Sequence, residues 1–547
     1  MIMSMRSVPL ERMVPAATSS ATRYSGPGSP ERAFVCTPWR RRFTLGLVVA
    51  TLALIASAGF SSGVAVALEV PVGGTFAVDG LTYKVLTPTT VQVGDGAVSM
   101  GSVTGDLVIP SAVENDGSLY MVTAVGDRAF YGASLASVVL QQGVIRIGAG
   151  AFRGCSLTSV ALPGGLKEIG GDSASGGAFM ECTQLADVTI PDTVTSIDWY
   201  AFENCSKLAR VRIPDRVTVI QPGTFAFCRG LTAVTIGSGV TEIAGAGPTW
   251  SSPYGAFEGC SSLTQVTIPG GVVSIGVAAF KDCTGLTTAT IEHGVRALGG
   301  TGSYYGGGWN PRGAFGGCTK LTTVTIPDSG TTIGDSAFYN CGLTSLIIPD
   351  SVTTIGDSAF LGCWALTGVT IPDSVASIGN CAFFVCSGIT DLDVDAGNAS
   401  YSSTQGVLFD KTKSKLIQFP MGKTGSYTIP SSVKTIGDYA FYCSGLSGVT
   451  IPDGVNSIGL SAFQSSGLTS VTIPGSVANI SQGAFVQCRN LTNLVIRPGV
   501  LTIGTGAFMG SPVTSVVLPQ TVESVGSMAF AQASYLGARN VLKTIQF

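Results

Sequence analysis

The chain has 547 residues, of which 73 are Gly, 45% are hydrophobic, 12% are charged and one is His, with a formal net charge of −3. An average soluble chain is about a quarter charged, so this composition argues against most enzymes, and a single His cannot build a two-histidine metal site. Single cores stop growing near about 250 to 300 residues, which leaves several domains or a repeat array that extends in one dimension.

Residues 1–67 read as an export region. Arg6, Arg12, Arg23, Arg32 and then Arg40, Arg41 and Arg42 precede the apolar run FTLGLVVATLALIASAGF over 43–60, a basic n-region followed by an h-region. Ala65, Val66 and Ala67 supply a small-residue cleavage site before Leu68. The leading reading is a cleaved secretory signal. The alternative is an uncleaved signal anchor, because a run of this length reaches the lower limit for crossing a bilayer. Both place the bulk of the chain outside the cytosol, secreted or at the cell surface, with membrane contact only through an uncleaved N-terminus. Cleavage removes seven Arg and two Glu from 30 basic and 33 acidic residues, leaving a net charge of −8. That balance does not suit nucleic-acid binding.

From about residue 103 one sentence recurs, most plainly as LTSLIIPDSVTTIGDSAFLGC (343–363) and LTGVTIPDSVASIGNCAFFVC (366–386). A register phenylalanine marks each unit, from Phe130, Phe152, Phe179 and Phe202 through to Phe508 and Phe530, mostly 22 or 23 residues apart. Leu366, Val369 and Ile371 have the L-x-x-L-x-L spacing of a leucine-rich repeat, whose last residues alternate in and out as a short strand. Pro372 ends the strand, Val375 and Ile378 turn a second apolar row inward, and Ala382, Phe383 and Cys386 close the coil. One such unit cannot bury its apolar face, so units must stack with strands in parallel. The expected fold is a curved β-rich solenoid with few or no regular helices.

The fourteen Cys show no CxxC spacing. Cys155, Cys182, Cys205, Cys228, Cys260, Cys283, Cys318, Cys341, Cys363, Cys386 and Cys488 all lie three residues after a register phenylalanine, and Cys443 lies two after. This is the Asn/Cys position of leucine-rich repeats. It implies an inward ladder of thiols acting as small hydrophobes, although adjacent rungs are close enough to bridge if oxidised.

Three insertions follow the Ile-Gly step or its equivalent and should leave from one edge: GDSASG (171–176), AGAGPTWSSPY (244–254) and GGTGSYYGGGWNPR (299–312). The second and third carry Trp250, Tyr254, Tyr304, Tyr305 and Trp309, and Trp199 and Tyr200 occupy the same point in an earlier unit. Such rings either fold back as local caps or form a binding patch, since inserts on one face of an array are often its binding surface.

Other candidates are weaker. Thr189, Thr235, Thr267, Thr290, Thr325, Thr370, Thr450 and Thr472 form an outward row interrupted by Arg212 and Ile347, in keeping with ordinary β-propensity. Asp391, Asp393 and Asp395 begin like a calcium loop, but Ala396 and Ser402 replace its Gly and bidentate Glu. His293 has no partner constellation legible in sequence, and the Gly runs do not open a helix after a strand, so no phosphate loop is implied. No metal or cofactor is expected.

The motif LTSVTIP-x-S-V-x-x-I-G-x-x-A-F-x-x-C is similar to the BspA-like leucine-rich repeat family of surface proteins. FAVDGLTYKVL (76–86) resembles that family's N-terminal cap, within 68–102, and YSSTQGVLFDKTKSKLIQFP (401–420) resembles its hairpin-bearing repeat, within about 391–430 of a solenoid spanning 103–547. The resemblance implies a secreted or surface-displayed, non-enzymatic adhesion or interaction scaffold whose partner is an extracellular protein or glycan. The alternatives are a glycan-binding module, a carboxylate-based glycan-processing module or a passive spacer. The final VLKTIQF matches the opening strand of another unit with no polar cap after it, the pattern of a fragment.

Overall fold

A computed structural model describes residues 69–246, 254–299 and 312–531, together with the backbone of Thr544–Gln546. The export region and most of the second and third inserts lie outside these residues. The described residues form parallel β-coils and contain no helix.

At the N-terminal end, Thr75–Val78, Leu81–Thr87 and Thr90–Val93 run antiparallel in sequence, and Thr90–Val93 then pairs in parallel with Ser118–Val125. Ser118–Val125 in turn pairs with Arg146–Ile147, the first of the two-residue strands. The Phe76 ring packs 5.6 Å from that of Tyr83 and 5.3 Å from that of Tyr120. These aromatic side chains cover the open end of the first coil, where a stack of identical units would otherwise expose its core.

Each regular coil has three sides. The first is the strand read from the sequence: Gln265–Ile268 pairs in register with Thr288–Ile291, and Val266 and Ile268 point inward. The second is a ladder of two-residue strands, such as Ser274–Ile275, Ala297–Leu298 and Thr332–Ile333, also parallel. In the sequence this was an apolar row, and in the fold it is a second sheet. The third side is the Ala-Phe turn, where the Phe152 N–H donates to Ala178 O at 2.7 Å and the Phe338 N–H donates to Ala359 O at 2.8 Å.

This third side requires left-handed backbone on both flanks of the phenylalanine. Two residues before it, Ser336 and Ser358 have φ of 55° and 56°, and two residues after it Asn340 has φ of 53°. Gly317 and Gly362 hold the same place as Asn340 in adjacent coils, each with φ of 78°. Only Gly adopts this conformation without cost, and Asn tolerates it better than most residues. Part of the high Gly content follows from that turn.

The phenylalanines stack down the coil axis. From Phe130 to Phe383, successive ring centroids lie 5.1 to 5.6 Å apart with planes within 12° of parallel. A second stack runs from Phe419 through Phe441 to Phe530. Burying one such ring contributes about 1.5 to 3 kcal/mol, against about 1 kcal/mol net for a hydrogen bond, so one ring outweighs any one bond of the turn, and the bonds fix register. Between the stacks, Tyr401–Thr404 and Val407–Asp410 form an antiparallel hairpin. Leu408 belongs to the first core, while its neighbours Val407 and Phe409 belong to the second.

The cysteines act as more than small hydrophobes. Sγ of Cys182 donates to Phe152 O at 3.1 Å, and Sγ of Cys283 donates to Phe257 O at 3.2 Å. All eleven make this bond to the register phenylalanine one coil earlier. Ser511 takes over the role, donating to Phe485 O at 2.7 Å. Cys443 is off this column, and its place is held by the buried Ser444. Burial pushes the thiols of Cys155, Cys228 and Cys386 up to about 12 and that of Cys488 to about 11.

A thiol reagent must reach the sulfur, and among the described cysteines only Cys381 and Cys443 are partly exposed, so only these two should react at pH 8 in the folded chain. The eleven column cysteines should react only after unfolding, as a timed thiol titration with and without denaturant will show. Cys283→Ser keeps the donor and should cost under about 1 kcal/mol, whereas Cys283→Ala leaves the Phe257 carbonyl unpaired and should cost about 1 to 3 kcal/mol in denaturant melts.

Candidate functional site

Coil length varies mainly at one step, between the two-residue ladder and the Ala-Phe turn. After Ile169 the first insert forms a tight hairpin, Gly171–Asp172 against Gly176–Gly177. Asp172 Oδ1 accepts from the Ala174 N–H at 2.8 Å, and the Arg128 guanidinium holds Ala174 O at 2.8 Å. The second insert leaves at Ala246, whose N–H donates to Val277 O at 2.7 Å, and returns at Tyr254. The third leaves after Gly299 and returns at Arg312. Trp250, Tyr304, Tyr305 and Trp309 lie outside the described residues.

The three described rings of this group differ in exposure. Tyr200 is only 6% exposed. It lies over Gly223 of the next coil, where a Cβ would sit 2.3 Å from Tyr200 Cδ1. Trp199 is half-buried and its Nε1 donates to Gln221 Oε1 at 3.0 Å. Tyr254 is half-buried and meets Phe227 edge to face, with centroids 4.8 Å apart.

Next to these rings runs a column of ionisable side chains that the sequence reading did not single out. Glu203, Glu258 and Lys281 each directly follow a register phenylalanine and each is buried. Glu258 is fully engaged: Lys281 Nζ lies 3.2 Å from its Oε1, and the Gly255 N–H donates to Oε2 at 3.1 Å. Lys281 also pairs with Asp282 at 2.6 Å. The pair thereby ties the returning end of the second insert to the next coil. Glu203 differs, being 8% exposed with no hydrogen bond or ion pair to its carboxylate among the described residues. Burial first, and then the charge of Glu181, push its carboxyl up to about 7, with Arg153 opposing. Glu203 faces a cleft of about 230 Å³ lined also by Glu181, Asn204, Phe227, Arg229 and Tyr254.

The remaining candidates are ordinary surface. Thr267, Thr290 and Thr325 align on adjacent strands and are exposed. Arg212 in that row pairs with Asp192 and, at 3.2 Å, with Asp215, while Ile347 is 83% exposed. Asp391 is held by Lys423 at 3.1 Å, and no group of three His, Cys, Asp or Glu suited to a metal occurs among the described residues. His293 Nδ1 lies 2.7 Å from Asp328 Oδ1, both side chains being exposed. Trp364, 57% exposed on a coil without an insert, is an aromatic candidate that attention to the inserts overlooked.

A carboxyl raised by folding binds its proton more tightly in the native state, so its contribution to stability falls as pH rises from about 4.5 to 7. Glu203→Gln removes that penalty. The variant should be more stable than the parent at pH 8, by up to about 2 to 3 kcal/mol, and equal to it at pH 4, as thermal melts at the two pH values will show.

Comparison with known proteins identifies the repeat. A family model described as BspA type leucine rich repeat region matches residues 123–246, 251–302, 311–425 and 418–537, more than half of the chain. A leucine-rich repeat protein from Bacteroides ovatus is similar in structure, at 24% identity and a TM-score of 0.51, over 86% of this chain and 99% of its own. A leucine rich cell surface protein from Faecalibacterium prausnitzii is 26% identical with a TM-score of 0.44, over 77% of this chain and 94% of its own. A search of curated sequences gives no match. The chain belongs to the BspA-type leucine-rich repeat family.

Proposed function

We propose that the protein is a secreted or cell-surface interaction scaffold that meets an extracellular protein through its insert-bearing edge. Export is supported by the basic and apolar segments before Ala67. A binding role, and not catalysis, is supported by the family and by a coil whose variation falls at one step. The observation that carries the choice of surface is Tyr254, which closes an insert and packs on Phe227 of the preceding coil. A loop seated on the scaffold in this way presents its neighbours at lower ordering cost than a free loop does. Aromatic side chains so placed are the residue types that dominate protein interfaces.

The test is binding of the full chain to immobilised extracellular-matrix proteins and glycans, repeated with Trp250→Ala and Trp309→Ala. A bound protein whose affinity falls at least about tenfold in these variants, with the melting temperature unchanged, supports the proposal. Undiminished binding in both variants removes the insert edge as the contact surface, and capture by a glycan alone overturns the protein partner.

A further inference from the structure

The cleft at Glu203 combines burial with an unpaired acid. Glu203 is 8% exposed, its side chain lines a cavity, and its carboxylate has no partner among the described residues, although two cations stand close. Arg153 is committed to Glu181 at 3.0 Å. Arg229 lies over the face of Phe227, 5.6 Å from the ring centroid. Neither forms an ion pair with Glu203. A buried carboxylate without a counter-charge is costly, and the two buried ion-pair members further along the column, Glu258 and Lys281, satisfy each other.

We propose that this cleft binds a primary alkylammonium group, with Glu203 as its counter-ion, Glu181 and Asn204 as further acceptors, and Phe227 and Tyr254 as the wall along the methylene stem. An ammonium group has three donors, and three acceptor-bearing side chains line the cavity. The edge-to-face rings offer apolar surface beside them, which suits a short alkyl chain with a charged end. A hard divalent cation fits less well, because it requires six or more oxygens and half of this lining is aromatic or cationic. The volume of about 230 Å³ suits a single side chain or small amine. The inference goes beyond the scaffold reading: the cleft is lined by coil residues with Tyr254 at the returning end of the second insert, and its occupancy does not require the inserts to touch a protein. The ammonium group can belong to a free amine or to a lysine side chain of a protein.

Calorimetric titration of the full chain with n-butylammonium and with Nα-acetyl-lysine amide tests both sources. The charged groups facing Glu203 are Arg153, Arg229 and Glu181, the first and last paired with each other. The Glu203 carboxyl, raised to about 7, must lose its proton to pair, so affinity should be about tenfold higher at pH 8 than at pH 6. Glu203→Gln should bind at least tenfold more weakly than the parent at pH 8 while keeping its circular dichroism spectrum. Binding of both ligands supports the proposal with free amines included, and binding of the lysine derivative alone supports it with a protein source. No binding of either ligand, affinity independent of pH, or undiminished binding by a folded Glu203→Gln overturns it. Amine binding that persists when Trp250→Ala and Trp309→Ala abolish protein binding separates this site from the insert edge.

Discussion

The coils are held in step by how one residue in each, the register phenylalanine, uses its backbone. Its N–H donates to a carbonyl of the next coil, alanine's in most coils and Thr224's at Phe202, and in eleven cases its carbonyl accepts a cysteine thiol from that same coil. Both backbone polar groups of a buried residue are thereby satisfied by one neighbour, and the attached ring rests on the neighbour's ring. The stack cannot slide without breaking bonds, and the bonds cannot shift without separating rings. Stacked apolar surface provides the driving force, and the paired backbone sets the step at which it acts.

That arrangement explains why so much was legible in the sequence. A residue type that recurs every 22 or 23 positions at a buried point is visible without any structure, and so are the strand before it and the small residue after it. The hydrogen-bonding role of Cys was harder to see, because size and hydrophobicity already accounted for the residue. Ser511 at the same step was the available signal, since Ser shares a donor with Cys and little of its hydrophobicity, and Ser511 makes the same bond. The second ladder was read as an apolar row because two residues are too few to show alternation.

The site was less legible, for a physical reason. Whether a ring or carboxylate between coils is buried depends on the side chain of the neighbouring coil, which lies more than twenty positions away. Tyr200 is covered because Gly223 leaves room for it, and Phe227 lies similarly over Gly259. Glu203 is buried without a partner, while Glu258 in a comparable position meets Lys281. These ionisable side chains fall in the coils between the first and third inserts, so two kinds of irregularity share one region. Arg153 after Phe152 extends the same column one insert earlier.

The hairpin strand Val407–Asp410 has a further consequence. Because Leu408 faces one core and Val407 and Phe409 face the other, the ring stack is interrupted here, and its two parts are joined by mixed contacts: Phe384 against Tyr439 and Tyr442, Lys423 paired with Asp391, and Gln418 Nε2 donating to Phe383 O. Cooperativity in a linear array passes from neighbour to neighbour, so at this junction it must pass through a hairpin, an ion pair and tilted rings, where elsewhere it passes from one stacked ring to the next.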